Sequence, residues 1–204
     1  MFSSDPKKVT VPKKLKNISY DEMLDISNEG AKVLHNRCVE VAKKYNIPIV
    51  AKSTFCDSDG TNVDNKIESQ KVKSLVKNDE LLYIYIEDGS NIINIYKLLI
   101  DNEIIPIEFI NEINKLNLLV KYSDYAKVEY LLAGYKYTTK KITRISIVGY
   151  GIANDSNILK EVMTCVEEVS NQIRKIDINN GKIRITFDEV ISNDVLENLH
   201  SKLI

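Results

Sequence analysis

Tryptophan is absent from this 204-residue chain, and cysteine, histidine, glycine and proline are scarce, at 3, 2, 7 and 4 residues. Each scarcity excludes something. Cys38, Cys56 and Cys165 are widely spaced and form neither a metal-ligand pattern nor a disulfide framework, which fits a reducing, cytoplasmic setting. His35 and His200 lie too far apart for an H-x-x-x-H metal helix, and no nucleophile–base–orienter set is legible. No catalytic and no metal-ligating residue is assigned. His200, near the end of the last helical pattern, is expected to favour the helix dipole. The few glycines make no Gly-rich phosphate loop. The chain has no run of ~20 apolar residues and no apolar signal core near Met1, so no membrane association is expected. Charge is balanced, 28 Lys and Arg against 29 Asp and Glu, which leaves no bulk attraction to nucleic acid.

What is present is an ordinary globular composition, 44% hydrophobic and 28% charged. Tyrosine is the plentiful aromatic. Tyr83, Tyr85, Tyr96, Tyr122, Tyr125, Tyr130, Tyr135 and Tyr137 gather in one third of the chain. A base-stacking surface would interleave them with more Arg and Lys, so they are assigned to core and interface packing. Residues 1–17 are rich in lysine and contain Pro6 and Pro12, which predicts an extended loop. Ser19-Tyr20-Asp21-Glu22 is a capping box opening a short helix to about Asn28, with Gly30 placed to end it. A second helix is expected over Ala31–Tyr45, with Val33, Leu34, Cys38, Val41 and Ala42 as its apolar stripe and Asn46 as a left-handed cap. Ile47–Ala51 reads as a strand buried on both faces. Helix followed by buried strand resembles the end of an α/β domain. Some fifty residues cannot cover such a sheet, so this segment is expected to lean on another chain. Asn62–Ser69 reads as a polar linker, with a domain boundary at about residue 63.

Beyond it the chain repeats itself. Leu81–Ile86 leads through Asp88-Gly89-Ser90-Asn91-Ile92 into a helix to about Asn102. Some 66 residues later, Ile142–Val148 leads through Asn154-Asp155-Ser156-Asn157-Ile158 into a helix to about Asn171. In both copies two strands and a helix follow: 104–110, 116–122 and 124–132, then 173–178, 182–187 and 192–203. Each copy is β-α-β-β-α, completed to βαββαβ by one more strand. Lys71–Val76 is a candidate extra strand. Asn179-Asn180-Gly181 signals a tight hairpin, and Ile183, Ile185 and Phe187 share the face that helices must cover.

The repeated loop delivers backbone amides at a helix N-terminus, a ready seat for a carboxylate. Its short polar side chains suit a zwitterionic amino acid. The same residue types are what any helix start prefers, so plain capping is the competing reading.

Three strings carry a resemblance. Ser4-Asp5-Pro6-Lys7, Ile18-Ser19-Tyr20-Asp21-Glu22-Met23 and Gly30-Ala31-Lys32-Val33-Leu34-His35 look like the closing motifs of the aspartate kinase catalytic domain. The two repeats behind them, the second opening with Ser146-Ile147-Val148-Gly149-Tyr150-Gly151, resemble that family's paired ACT regulatory domains. The resemblance implies an α+β chain: tandem ferredoxin-like βαββαβ ACT domains at 63–138 and 139–204, preceded over 1–62 by a remnant of an α/β amino-acid-kinase domain. It places Ser4, Asp5 and Lys32 at a nucleotide site. It places Asp88, Gly89, Ser90, Asn91 and Ile92, and Asn154, Asp155, Ser156, Asn157 and Ile158, at effector loops. Lys7 and Asn36 stand where the family usually has Arg and Pro. Both loops lack the family's Asp-x-Pro-Gly, with Ser-Asn in place of Pro-Gly.

Phosphoryl transfer needs phosphates, metal and acceptor held together. The kinase's N-terminal binding elements are not in this sequence, so ATP and Mg are expected only in a complete enzyme, and no turnover is expected of this chain alone. The implied role is feedback regulation by lysine or threonine bound at an ACT dimer interface. Implied partners are a second copy of the chain and a catalytic aspartate kinase chain. The alternative is a dimerising subunit that senses nothing.

Overall fold

The computed structural model describes residues 1–55, 59–66, 71–87, 91–112, 115–179 and 181–204. The described chain forms two compact units. One comprises Met1–Asn78, Arg144–Thr186 and Ile191–Ile204; the other comprises Asp79–Thr143 with Phe187–Val190. The boundary expected at residue 63 falls inside a strand of the first unit.

The first unit opens with strand β1 (Asn17–Ser19), helix α1 (Tyr20–Asn28), helix α2 (Asn36–Tyr45), and strands β2 (Ile49–Ala51) and β3 (Thr61–Asp64). The capping box forms as its spacing predicts. Ser19 Oγ accepts from Glu22 N at 3.2 Å while Glu22 Oε2 accepts from Ser19 N at 2.9 Å, so two orphan amides are satisfied reciprocally. Asn46 closes α2 in the left-handed region at φ 54°. Three expectations fail here. The second helix begins at Asn36, not Ala31, because Gly30 sits at φ 113° and turns the chain out of helix. Its buried face is therefore Val39 and Ala42, while Val33, Cys38 and Val41 are exposed. The apolar run 47–51 yields an edge strand with Val50 outside, not a strand buried on both faces. The middle of that three-stranded sheet is β3, drawn from the stretch read as linker. It runs parallel to β1 and antiparallel to β2, with Thr61 and Val63 fully buried.

The rest of the first unit takes parts of two long strands, β4 (Val72–Ile86) and β7 (Tyr137–Gly149), together with α5 (Ser156–Val166), β8 (Ile173–Asn179), most of β9 (Lys182–Phe187) and α6 (Asp194–Leu203). Strand order is β4-β7-β9-β8. Val148 opposes Lys182 and Arg144 opposes Thr186 across the β7–β9 ladder. What reads as an extra strand at 71–76 and a strand at 80–87 is one continuous β4. The helix expected to reach Asn171 ends at Val166 and tightens into a 3₁₀ turn.

Part of the apolar surface of the opening segment is covered within this unit. Ile18, Tyr20, Met23, Ile26, Val39, Ala42 and Val63 pack in one cluster with Val76 of β4 and Val148 of β7.

The second unit is built from α3 (Ile92–Asp101), β5 (Glu108–Glu112), β6 (Lys115–Lys121), α4 (Tyr125–Leu131) and the remaining parts of β4 and β7. β6 runs antiparallel between β5 and β4. Ile95 and Leu99 of α3 and Val128 of α4 close over Leu82, Ile84, Ile86, Leu116, Leu118 and Val120. The period of 2 on the strands matches the stripe on the helices, which is why this core is contiguous.

Candidate functional site

The two repeated loops have different chemistry in three dimensions. In the second copy, Gly151 takes φ 69° and starts a short 3₁₀ turn, Ile152–Asn154, anchored by the fully buried Ile152. The turn brings Asp155 to the N-cap of α5. Its Oδ1 accepts from Asn157 N at 3.0 Å and Ile158 N at 3.3 Å, and its Oδ2 pairs with Lys71. The Lys71 bond first, and then the Ile158 amide, hold the Asp155 carboxyl below its ordinary range. The amides that a ligand carboxylate would seek already have a carboxylate of the chain itself. Asn154, Ser156 and Asn157 are exposed around it, and Ile158 is half-buried.

In the first copy Asn91 is the N-cap of α3, at φ −103° and ψ 28°, and its side chain makes no capping bond. Ile92, half-buried, packs against the core. Asp88, Gly89 and Ser90, the other residues expected there, lie outside the described residues. The structure thus separates two loops that sequence treats as equivalent: one helix start is closed by its own acid, and the other receives nothing from its cap residue.

The three residues assigned to a nucleotide site fare differently. Ser4 is buried and its Oγ donates to Leu75 O at 2.9 Å. Asp5 is exposed and organises a tight turn, accepting from Lys7 N at Oδ1 and from Lys8 N and Val9 N at its carbonyl. Lys32 is exposed in the turn before α2. Among the described residues no group of His, Cys, Asp and Glu could hold a metal ion, and no helix is long and apolar enough to cross a membrane.

Sequence reasoning missed a partly buried ionic cluster around the buried Glu29, between the end of α1 and the β7–β9–β8 surface. Glu29 Oε1 accepts from Arg184 Nε at 2.7 Å and Glu29 Oε2 from Ser146 Oγ at 2.7 Å. Arg184 Nη1 also reaches Asp177 at 2.9 Å, and Lys182 pairs with Asp25. The available signal was the pair of carboxylates four residues apart on α1, set against Lys182 and Arg184 alternating with Ile183 and Ile185 on β9.

His200 lies in the last turn of α6 as expected, but sequence did not show its surroundings. The residue is buried, with Nε2 2.8 Å from Ser3 Oγ. Burial lowers its pKa; Glu197 opposes that and Lys13 reinforces it. The ring is therefore held neutral in the fold, while an unfolded chain binds a proton near pH 6.5. Its stabilising contribution is fully present above that pH and is lost as pH falls toward the folded-state value. The urea midpoint of the chain is expected to be lower at pH 5.5 than at pH 7.5, and the difference to shrink in His200→Gln. An unchanged difference in the variant would assign the pH effect to other groups.

The fold is that of ACT-type modules joined to the end of an amino-acid-kinase domain. Residues 1–53 match the model of the amino acid kinase family. Aspartokinase homologues cover the whole chain. The aspartokinase of Rickettsia felis is 27% identical over 217 residues, which is 98% of this chain and 54% of that protein. Escherichia coli aspartokinase III, solved in complex with lysine and aspartate, superposes with a TM-score of 0.78 at 19% identity, covering 100% of this chain and 49% of that one. The regulatory subunit of aspartate kinase from Thermus thermophilus superposes with a TM-score of 0.54 at 18% identity, over 64% of this chain and 97% of that one. The chain spans about half the length of the aspartokinases it matches.

Proposed function

We propose that this chain is the regulatory portion of an aspartokinase, and that it binds an amino-acid effector, lysine or threonine, to control flux into aspartate-derived amino acids. The observation that carries the sensing role is the contrast at the two helix starts. Asp155 fills the second loop, whereas the side chain of Asn91, the N-cap of α3, makes no capping bond. A zwitterionic ligand brings both a carboxylate for the first amides of α3 and an ammonium for neighbouring acceptors. The effector residues of the first loop, Asp88 to Ile92, are the primary site in this reading, and Asn154 to Ile158 serve as structure.

The reading places ATP, Mg and aspartate on the catalytic portion of a complete enzyme. Val41, Tyr45, Ile47 and Val50, exposed on the segment that matches the kinase family, support docking against further kinase sequence. A homodimer formed through the ACT modules belongs to the same reading, as does the cytoplasm.

The test is a thermal-shift or calorimetric titration with lysine, threonine and methionine. A ligand at 100 times its dissociation constant should add ~2.7 kcal/mol. Stabilisation by lysine or threonine is expected, with methionine inert. Absence of any shift removes the sensing role. It would leave the second reading, a dimerising subunit without a ligand, which the Asp155–Lys71 closure of the second loop favours. Light scattering on the purified chain checks the dimer in either case.

A further inference from the structure

Within the segment Ser3–Lys13, Ser3 alone bonds both β4 and α6 among the described residues. Ser3 is fully buried, and each of its polar atoms is engaged. Its N–H donates to Lys13 O at 2.8 Å, and its carbonyl accepts from Leu75 N at 2.8 Å. Its Oγ accepts from Lys13 N at 2.9 Å and meets His200 Nε2 at 2.8 Å. Ser4 continues the attachment by donating from Oγ to Leu75 O. Past the Asp5 turn the segment is fastened again. Lys8 Nζ donates to Lys77 O at 2.9 Å, Thr10 N donates to Glu197 Oε2 at 2.8 Å, and Lys13 Nζ bonds Ile204 O. Between the two attachments hangs the exposed turn of Asp5, whose hydrogen bonds among the described residues are local.

The attachment is energetically stiff for a definite reason. A buried serine that satisfies a histidine, two backbone amides and a carbonyl cannot shift without stranding one of them, and a stranded buried polar group costs more than the bond itself contributed. Asp5 follows Ser3 by two residues, a reach of at most ~7 Å. Displacement of α6 or of the β4 edge therefore reaches the turn with little slack to absorb it.

We propose that Ser3 is a mechanical relay, through which the position of α6 and the β4 edge in the regulatory module sets the conformation of the Asp5 turn. Only the identity of the signal rests on the regulatory reading above. The relay is a property of one compact unit, and coupling of this kind requires an element that both ends bias.

Amide hydrogen exchange on the full 204-residue chain tests it, comparing wild type with Ser3→Ala, His200→Gln and Glu197→Ala. Ser3→Ala and His200→Gln are each expected to raise exchange at the Lys7, Lys8 and Val9 amides about tenfold, the effect of losing one net hydrogen bond. Ile183 and Ile185 on β9 should not change. Glu197→Ala, which removes an exposed contact only, should loosen Thr10 and Val9 to a smaller degree, and it carries the test if Ser3→Ala does not fold. Unchanged exchange at Lys7–Val9 in the folded variants overturns the relay. A uniform rise that includes β9 also overturns it, since that is ordinary destabilisation. Effector titration is read separately: a chain that binds no amino acid but shows the selective exchange keeps the relay and loses the sensor, and the reverse pattern does the opposite.

Discussion

Replacing Glu29 by alanine is expected to lower the unfolding free energy by about 2–3 kcal/mol, read from urea unfolding, because it removes the buried carboxylate on which Arg184, Ser146 and Lys182 converge. Glu29 ends α1 and is 6% exposed. Burial alone weakens the hold of Arg184 on its proton; the hydrogen bond and charge of Glu29, with Asp177, more than offset this and raise its pKa. Without Glu29 the guanidinium keeps Asp177 alone, Ser146 Oγ loses its acceptor, and Lys182, 3.6 Å from Glu29 Oε1, keeps only Asp25. The double variant Glu29→Gln with Arg184→Met should lose less than the sum of the single changes, since each single change already removes the Glu29–Arg184 contact. The effect should persist at high salt, where exposed pairs fade. A loss below ~1 kcal/mol would place the cluster among solvated surface pairs.

Gly149→Ala is expected to cost about 3 kcal/mol or more, at the upper end of overpacking penalties. A Cβ at Gly149 would lie 1.9 Å from Lys71 O and 2.9 Å from Val72 Cα. Both are backbone atoms, so the start of β4 must move away from β7, in the same place where Gly149 N donates to Gly181 O at 2.9 Å. The requirement is close approach of two backbones. Gly134→Ala is the control: nothing lies within 4 Å of its Cβ position, and reduced freedom of the unfolded chain should leave the protein unchanged or slightly more stable. Equal effects at the two positions would refute the steric account. A Gly149→Ala protein that does not fold agrees with it, and Gly149→Ser, slightly larger, should then fail too.

Much of the architecture was legible because its causes are local. The capping box at Ser19 and Glu22, the left-handed Asn46 and the hairpin closed by Gly181 at φ 90° all act within a few residues. So do the alternation of Ile183, Ile185 and Phe187 and the duplication of the β-α-β-β-α pattern. The specific strings around Ser4, Ser19 and Lys32 pointed to the kinase family through resemblance, which similarity along the chain supports. The errors cluster where short segments acquire their role from distant partners. Thr61–Asp64 offers one apolar residue and looked like linker, yet it is the middle strand of a sheet because β1 and β2 flank it. Residues 47–51 looked like an interior strand and became an edge.

By itself, then, the sequence determined the repeated module, the capping box at Ser19 and the left-handed end at Asn46, since capping and periodicity act between near neighbours along the chain. Only the tertiary structure decided that Asp155 closes one repeated loop while the Asn91 side chain makes no capping bond at the other. The same holds for Glu29 meeting Arg184, for Ser3 meeting His200, and for the opening segment resting on Val76 and Val148. Those pairings join residues up to 197 positions apart, and their energies depend on burial and geometry that no local pattern encodes.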